Sequence, residues 1–247
     1  DIDMGDWAII RQGFVGNPNQ PDCNNNGIGD LEEILTEEDL LAISFPVAPL
    51  SPPSSVSKNR YLTITPSNEG QETAYRVLLP GDIARWVGPT RALSHFPGKA
   101  DATPPAFLAA NLQCEPYFSS SWGTGELQVL SSDIFPGQTY QIQAISSACA
   151  SDNEGNYSPS LTLGTSVAGD LTGPYDPETG WPGPDGSINV SSDTIGTIDA
   201  FRGLSTAPRK ARADIYGPDG VIDIRDIVLT IDAFRGVLPE YTISTCP

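Results

Sequence analysis

Hydrophobic and polar residues alternate in one part of the chain and recur at helical spacing in another. Between residues 57 and 166, apolar positions come in short alternating runs at 61–65, 74–79, 126–130, 140–145 and 160–165, bounded by turn residues. Period-two alternation puts one face of a strand in a core, and strands at this spacing with no helical runs between them predict a mainly β domain built as a sandwich. The segment 81–125, with Trp86, His95 and Trp122, follows neither period. Beyond residue 166 the period lengthens. Ile195, Ile198 and Phe201, then Ile227, Val228, Ile231 and Phe234, lie on helical spacing and predict two short helices closed by Gly203 and Gly236. Near the start, residues 31–35 predict another short helix. Thr36 and Asp39 read as a capping box for a further turn through Leu40 and Leu41, and Pro46, Pro49, Pro52 and Pro53 end it in a linker.

The two late helices belong to an internal repeat. Ile-Asp-Ala-Phe-Arg-Gly occurs at 198–203 and again at 231–236, each time preceded by oxygen-bearing side chains at near-constant offsets. Asp193 aligns with Asp226, Asn189 with Asp223, and the pair Asp185, Gly186 with Asp219, Gly220. In the second copy Asp219, Gly220, Val221, Asp223 and Asp226 fill positions five, six, seven, nine and twelve of a calcium loop of the EF-hand kind; Asp214, the first ligand, lies one residue too far upstream. In the first copy the candidates are Asp170, Asp185, Ser187, Asn189 and Asp193. There an insertion carrying Asp176, Glu178 and Trp181 separates Asp170 from Asp185, and one extra serine precedes Asp193. A third loop follows the pattern most closely: Asp22, Asn24, Asn26, Gly27, Ile28, Asp30 and Glu33 take positions one, three, five, six, seven, nine and twelve. Calcium needs six to eight oxygens at about 2.3–2.6 Å, with glycine at position six for the sharp bend and a bidentate carboxylate at twelve. About three Ca2+ sites are expected.

Loop then helix, twice over, resembles the dockerin arrangement. The run Phe135-Pro-Gly-Gln-Thr-Tyr-Gln-Ile-Gln-Ala-Ile145, followed by Asn156-Tyr-Ser-Pro and a last strand, resembles the F and G strands of fibronectin type III domains. That resemblance covers residues 134–166 and implies that Tyr140 is a corner tyrosine whose hydroxyl returns to the backbone. As a whole the chain resembles secreted bacterial surface proteins of the planctomycete type, in which such modules serve as connectors, anchors and scaffold parts. The expected organisation is an extended segment (1–20), a calcium loop–helix motif (21–45), a Pro-rich linker (46–56), an Ig- or fibronectin III-like sandwich (57–166), paired dockerin-like repeats (167–237) and a strand-like tail (238–247) ending near Cys246.

Composition narrows the compartment and the partners. A net charge of −18 argues against nucleic acid or an anionic membrane, because phosphate binding needs concentrated Lys and Arg. Three calcium ions would offset about six of those charges. No apolar run is long enough to span a bilayer. The start at Asp1, without a signal-peptide pattern, reads as a mature product after processing. Four cysteines, few lysines and many Pro, Gly, Ser, Thr and Asn point to an extracellular or cell-surface protein. Cys114 with Cys149 is the preferred disulfide, leaving Cys23 and Cys246 to pair with each other or between molecules; four cysteines allow three connectivities.

Catalytic chemistry lacks its usual residues. His95 is the single histidine and sits in a Ser-His-Phe-Pro loop context; there is no nucleophile elbow, phosphate loop or dinucleotide fingerprint. Paired carboxylates of the glycosidase kind are accounted for more simply by the calcium loops. No catalytic residue is expected, and the chain reads as a non-enzyme. The tryptophans read as packing residues before a sugar platform. Asn156 and Asn189 begin glycosylation triplets, Asn189 doubling as a calcium ligand. The expected function is therefore an extracellular, calcium-stabilised structural or adhesion protein. It would assemble with copies of itself, by adding a strand to a neighbour's sheet edge or by a head-to-tail contact that builds a filament. The alternatives are dockerin-type anchoring to a cohesin-like receptor and a glycan-binding module on the sandwich. Dockerins use hydroxyl residues at loop positions ten and eleven, where this chain has Ile224 and Arg225, and Val190 with a displaced Ser191.

Overall fold

The computed structural model describes residues 60–66, 70–94, 106–114, 118–123, 125–238 and 240–246. The 1–20 segment, the 22–33 loop with Asp22, Asn24, Asn26, Ile28, Asp30 and Glu33, the linker, Cys23 and His95 lie outside the described residues.

The described chain is mainly β. Seven strands, β1 (Leu62–Ile64), β2 (Thr73–Leu79), β3 (Ile83–Ser94), β4 (Ala106–Gln113), β5 (Leu127–Val129), β6 (Thr139–Ser146) and β7 (Leu161–Gly164), form one hydrogen-bonded sheet in the order β1-β5-β4-β3-β2-β6-β7. The sheet is nearly closed into a barrel. Each neighbouring pair is antiparallel except β4 with β5, which run parallel. All five alternating runs of the sequence became strands. The two strands that alternation missed, β3 and β4, lie in the segment that followed no period. β3 carries Gly88 and Pro89 where its register against β4 shifts between Val87 and Thr90, so a turn signal sits inside a strand. β4, Ala-Phe-Leu-Ala-Ala-Asn-Leu-Gln, has the composition of a helix, and pairing on both sides overrides that preference.

Alternation explains the interior. Along β6, Tyr140, Ile142 and Ala144 are fully buried while Thr139 and Gln141 face out, and on β2 Tyr75 and Val77 join the same cluster with Leu62, Ile64, Leu127 and Val129. Burying each large apolar side chain contributes about 1.5–3 kcal/mol. Two polar devices fix the packing. The Tyr140 hydroxyl accepts a bond from Phe135 N (2.5 Å) and donates to Phe135 O (3.2 Å), the backbone return expected of a corner tyrosine. The Trp122 indole donates to Thr73 O (2.5 Å) while its ring tilts against Tyr75 at 5.5 Å.

The strands β1 and β5 are buried on both faces: even Thr63 and Gln128, opposite each other in register, are 4% and 1% exposed. Beside them Tyr61, Leu93, Phe107, Ala109 and Leu130 form a second buried cluster with Ala211 of the repeat unit. That unit holds three helices: α1 (Ile195–Phe201), α2 (Lys210–Ala213) and α3 (Ile224–Phe234). The extra serine of the first copy is absorbed as a single π-helical turn, Val190–Thr194, ahead of α1. α2 carries no periodic signal and was not foreseen.

The tail departs from expectation in two ways. Residues 240–246 form no strand, and Cys246 is bonded to Cys114, 132 residues away, in place of the preferred Cys114–Cys149 bridge. Cys149 is also disulfide-bonded. The tail is drawn across the sheet by side chains too distant in sequence for spacing to reveal. Tyr241 stacks on Phe135 at 5.2 Å and Ile243 packs on the main core. Buried Asp133 accepts from Ser244 N (2.9 Å) and Ser244 Oγ (2.8 Å), while Arg85 pairs with Asp133 (3.3 Å). Cys246 is thus held at Cys114, and the tail and its cysteine are used within the chain.

Candidate metal centre

The two repeat copies fold as equivalent loop–helix units, and the equivalence is visible atom by atom. Asp193 Oδ1 accepts from Leu171 N (2.7 Å) and Thr172 N (3.0 Å), and its Oδ2 from Asn189 N (2.7 Å). Asp226 Oδ1 accepts from Ile215 N and Tyr216 N (both 2.8 Å), and its Oδ2 from Asp223 N (2.8 Å). At the start of each loop, a buried aspartate receives the bend glycine: Gly186 N donates to Asp170 Oδ2 (2.9 Å), with Asp185 N on Oδ1 (3.1 Å), and Gly220 N donates to Asp214 Oδ2 (2.7 Å). Gly186 and Gly220 take φ of 89° and 86°, a conformation that an L side chain resists. The early aspartates, which the interrupted spacing made the weaker candidates, are therefore brought to the late ones in both units.

The helices behind the loops pack by the same symmetry. Thr197 Oγ1 donates to Asp193 O (2.8 Å), Thr230 Oγ1 to Asp226 O (2.9 Å), and the two hydroxyls meet at 3.2 Å. Ala233, late in α3, and Ile188 both lie against Gly169 at the start of the first unit. Small residues, Ala200 and Ala233, are buried in these helices. The apolar residues Ile195 and Phe201 of α1 and Val228, Ile231 and Phe234 of α3 are 39–51% exposed.

Electrostatics separates the two loops. Asp170, Asp193, Asp214 and Asp226 are nearly or wholly buried. Burial pushes Asp170 and Asp226 above the usual carboxylate range and Asp214 up to about 6, with the Gly220 N–H and the Arg60 guanidinium pulling Asp214 back. In the first loop, N–H donors reach both oxygens of Asp170 and of Asp193. In the second, Asp214 Oδ1 is buried with no partner among the described residues. Arg60, itself buried and lowered by that burial, supplies positive charge toward Asp214 and Asp226 from the start of the sheet. Its Nε and Nη1 also lack hydrogen-bond partners among the described residues.

The remaining candidates lie at the loop surfaces. Asp185 Oδ1 takes Ser187 N (2.9 Å) and Asp219 Oδ1 takes Val221 N (2.8 Å), each closing a short Asx turn. Asn189 stands at the head of the π turn without a side-chain cap. Asp223 caps α3 through Arg225 N (2.7 Å) and is held by the Arg225 guanidinium, which lowers its pKa. Among the described residues no three Asp, Glu, His or Cys side chains are grouped to hold a metal ion. The carboxylates turn instead to backbone N–H groups. By donor chemistry the second loop fits a hard cation better than the first, because it alone keeps a buried carboxylate oxygen with no donor. The unforeseen participants are Arg60 and the threonine pair; the repeat alignment places Thr197 over Thr230, whereas nothing in the sequence flags Arg60.

Compared with known proteins, the chain matches no family model, no curated protein and no solved structure.

Proposed function

We propose that this protein is an extracellular structural or adhesion module whose repeat unit is stabilised by calcium and whose α1/α3 face joins it to further copies of itself. The observation that carries the reading is the pair of equivalent loop–helix units, each closed on buried carboxylates, with its large apolar residues turned outward. Asp214, Asp219, Asp223, Asp226 and the Val221 carbonyl would hold an ion in the second loop; Asp170, Asp185, Ser187, Asn189 and Asp193 are the first loop's set, and the 22–33 loop supplies the third. Calcium would meet the buried Asp214 oxygen that no hydrogen-bond donor reaches among the described residues. For a site of dissociation constant near ~10⁻⁴ M in about 1 mM calcium, mass action adds on the order of 1.4 kcal/mol. The strand pairing also supports a fibronectin III-like reading of the sheet. β7-β6-β2-β3 would form one layer and β1-β5 the other, with β4 as an added bridge between them.

Self-association by the tail loses its support, since Cys246 and residues 241–244 are bound within the chain. The exposed apolar face takes its place. The same face meeting on both copies would give an isologous dimer. The same face also favours a second reading, dockerin-type docking onto a cohesin-like receptor. Light scattering of the native protein with calcium and with chelator tests both readings. A calcium-dependent dimer or larger species that Phe234→Asp dissolves is the expected result. A monomer under both conditions would overturn self-assembly and leave receptor docking, and a melting temperature indifferent to calcium would overturn the calcium reading.

A further inference from the structure

The insertion that interrupts the first loop is a built structure. At its tip, Asp176 and Gly180 exchange backbone bonds (3.0 and 2.7 Å), and Asp176 Oδ1 accepts from Glu178 N (2.7 Å) and Thr179 N (2.9 Å). At its base, Gly173 N donates to Gly183 O (2.9 Å), and Pro182 O accepts from Thr172 Oγ1 (2.8 Å) and Arg212 Nη1 (2.6 Å). A loop fixed at both ends holds its side chains in place before any ligand arrives, which lowers the cost of binding.

Those side chains are Tyr175 and Trp181, with centroids 5.0 Å apart and planes at 60°. Together with Thr179, Ser205, Thr206 and Arg209 they line a cavity of about 250 Å³. Tyr175 is 44% exposed, and the buried Trp181 indole N–H has no acceptor. Arg209 is exposed and makes no ion pair with a described residue, in a chain of net charge −18. The insertion's own acids do not line the cavity, and Asp176 is turned to the N–H groups of its turn.

We propose that this cavity binds a single carboxylated sugar ring, a hexuronate. Two aromatic rings at 60° form a corner that matches the C–H faces of a puckered pyranose, whereas a flat base is gripped best between parallel rings. The volume lies below the roughly 300–1,000 Å³ of drug-sized pockets and suits one ring. Hydroxyls of Thr179, Ser205 and Thr206 meet the sugar hydroxyls, and the Arg209 fork takes the carboxylate in two parallel bonds. The site is lined by residues of the repeat unit alone and rests on neither the calcium reading nor the assembly reading.

Methyl glucuronoside and methyl glucoside differ only at C6 and are the probes, added to the full chain in calcium buffer. Binding is followed by tryptophan fluorescence and saturation-transfer NMR. The expected result is saturable binding of the glucuronoside, at least tenfold weaker binding of the glucoside, and a drop of the glucuronoside to the glucoside level in Arg209→Ala. Tyr175→Ala, at an exposed position, loses both sugars without change in the melting temperature. No saturable glucuronoside binding, equal binding of the two sugars, or unchanged binding in Tyr175→Ala would each overturn the proposal.

Discussion

In the sheet, Tyr75, Val77, Tyr140 and Ile142 are wholly buried; in the repeat unit Ile195, Phe201, Val228 and Phe234 are 43–51% exposed while aspartates and threonines fill the interior. The sheet is held by apolar burial. The repeat unit is held by carboxylates that gather backbone N–H groups, around a small cluster of Ala200, Ala207 and Ala213. The difference teaches that an amphipathic helix does not reveal which face is inside. Here much of the apolar stripe faces outward, and the interior is polar because each loop needs its bend closed.

The largest effect tests the link between the two regions. Replacing Cys114 and Cys246 with serine opens a 132-residue separation and is expected to cost roughly 4–5 kcal/mol by loop entropy. Urea unfolding gives the size, and hydrogen exchange shows the tail released first.

Next comes a matched pair of truncations. Ile142→Ala in the sheet should cost about 2–5 kcal/mol, whereas Phe234→Ala should fall within about 0.5 kcal/mol. Equal costs would erase the distinction between a buried and an exposed apolar face. Asp193→Ala leaves the N–H groups of Leu171, Thr172 and Asn189 without their acceptor. It should cost about 3 kcal/mol, with exchange protection lost in the repeat unit and kept in the sheet.

Acid sharpens the comparison by acting with opposite signs. Asp214 has its folded pKa raised from 3.8 to about 6, so the folded state holds a proton that the unfolded chain has released. Without calcium, repeat-unit stability should fall by about 2–3 kcal/mol as pH rises from about 4 to 6, and calcium at pH 7 should restore it. In the sheet, Arg76 lowers Glu154 through hydrogen bonds, so that contribution is present above the unfolded value of 4.5 and is lost as pH falls. Glu154 is largely exposed, which keeps its share small. Region-resolved exchange against pH reads both slopes. The smallest effect is Thr197→Val, about 1 kcal/mol, from loss of the hydroxyl contact at the centre of the paired helices.

The sequence by itself determined the strands that alternate, the two helices of the repeat with their glycine ends, the corner tyrosine, and the acidic side chains that close each loop. These are local: a strand's period, a helix's spacing and a loop's bend are written in neighbouring residues. Only the tertiary structure decided the rest. β3 and β4 became strands because neighbours on both sides satisfied backbones whose own residues read as turn and helix. Cys246 found Cys114 because Asp133, Arg85 and Phe135 hold the tail across the sheet, and no spacing rule joins positions 132 apart. Asp214 became the carboxylate with an unmet oxygen because the fold buries it, with Arg60, distant in sequence, near enough to act on its charge. Burial is a property of what packs on a residue, and a chain read in order does not contain it.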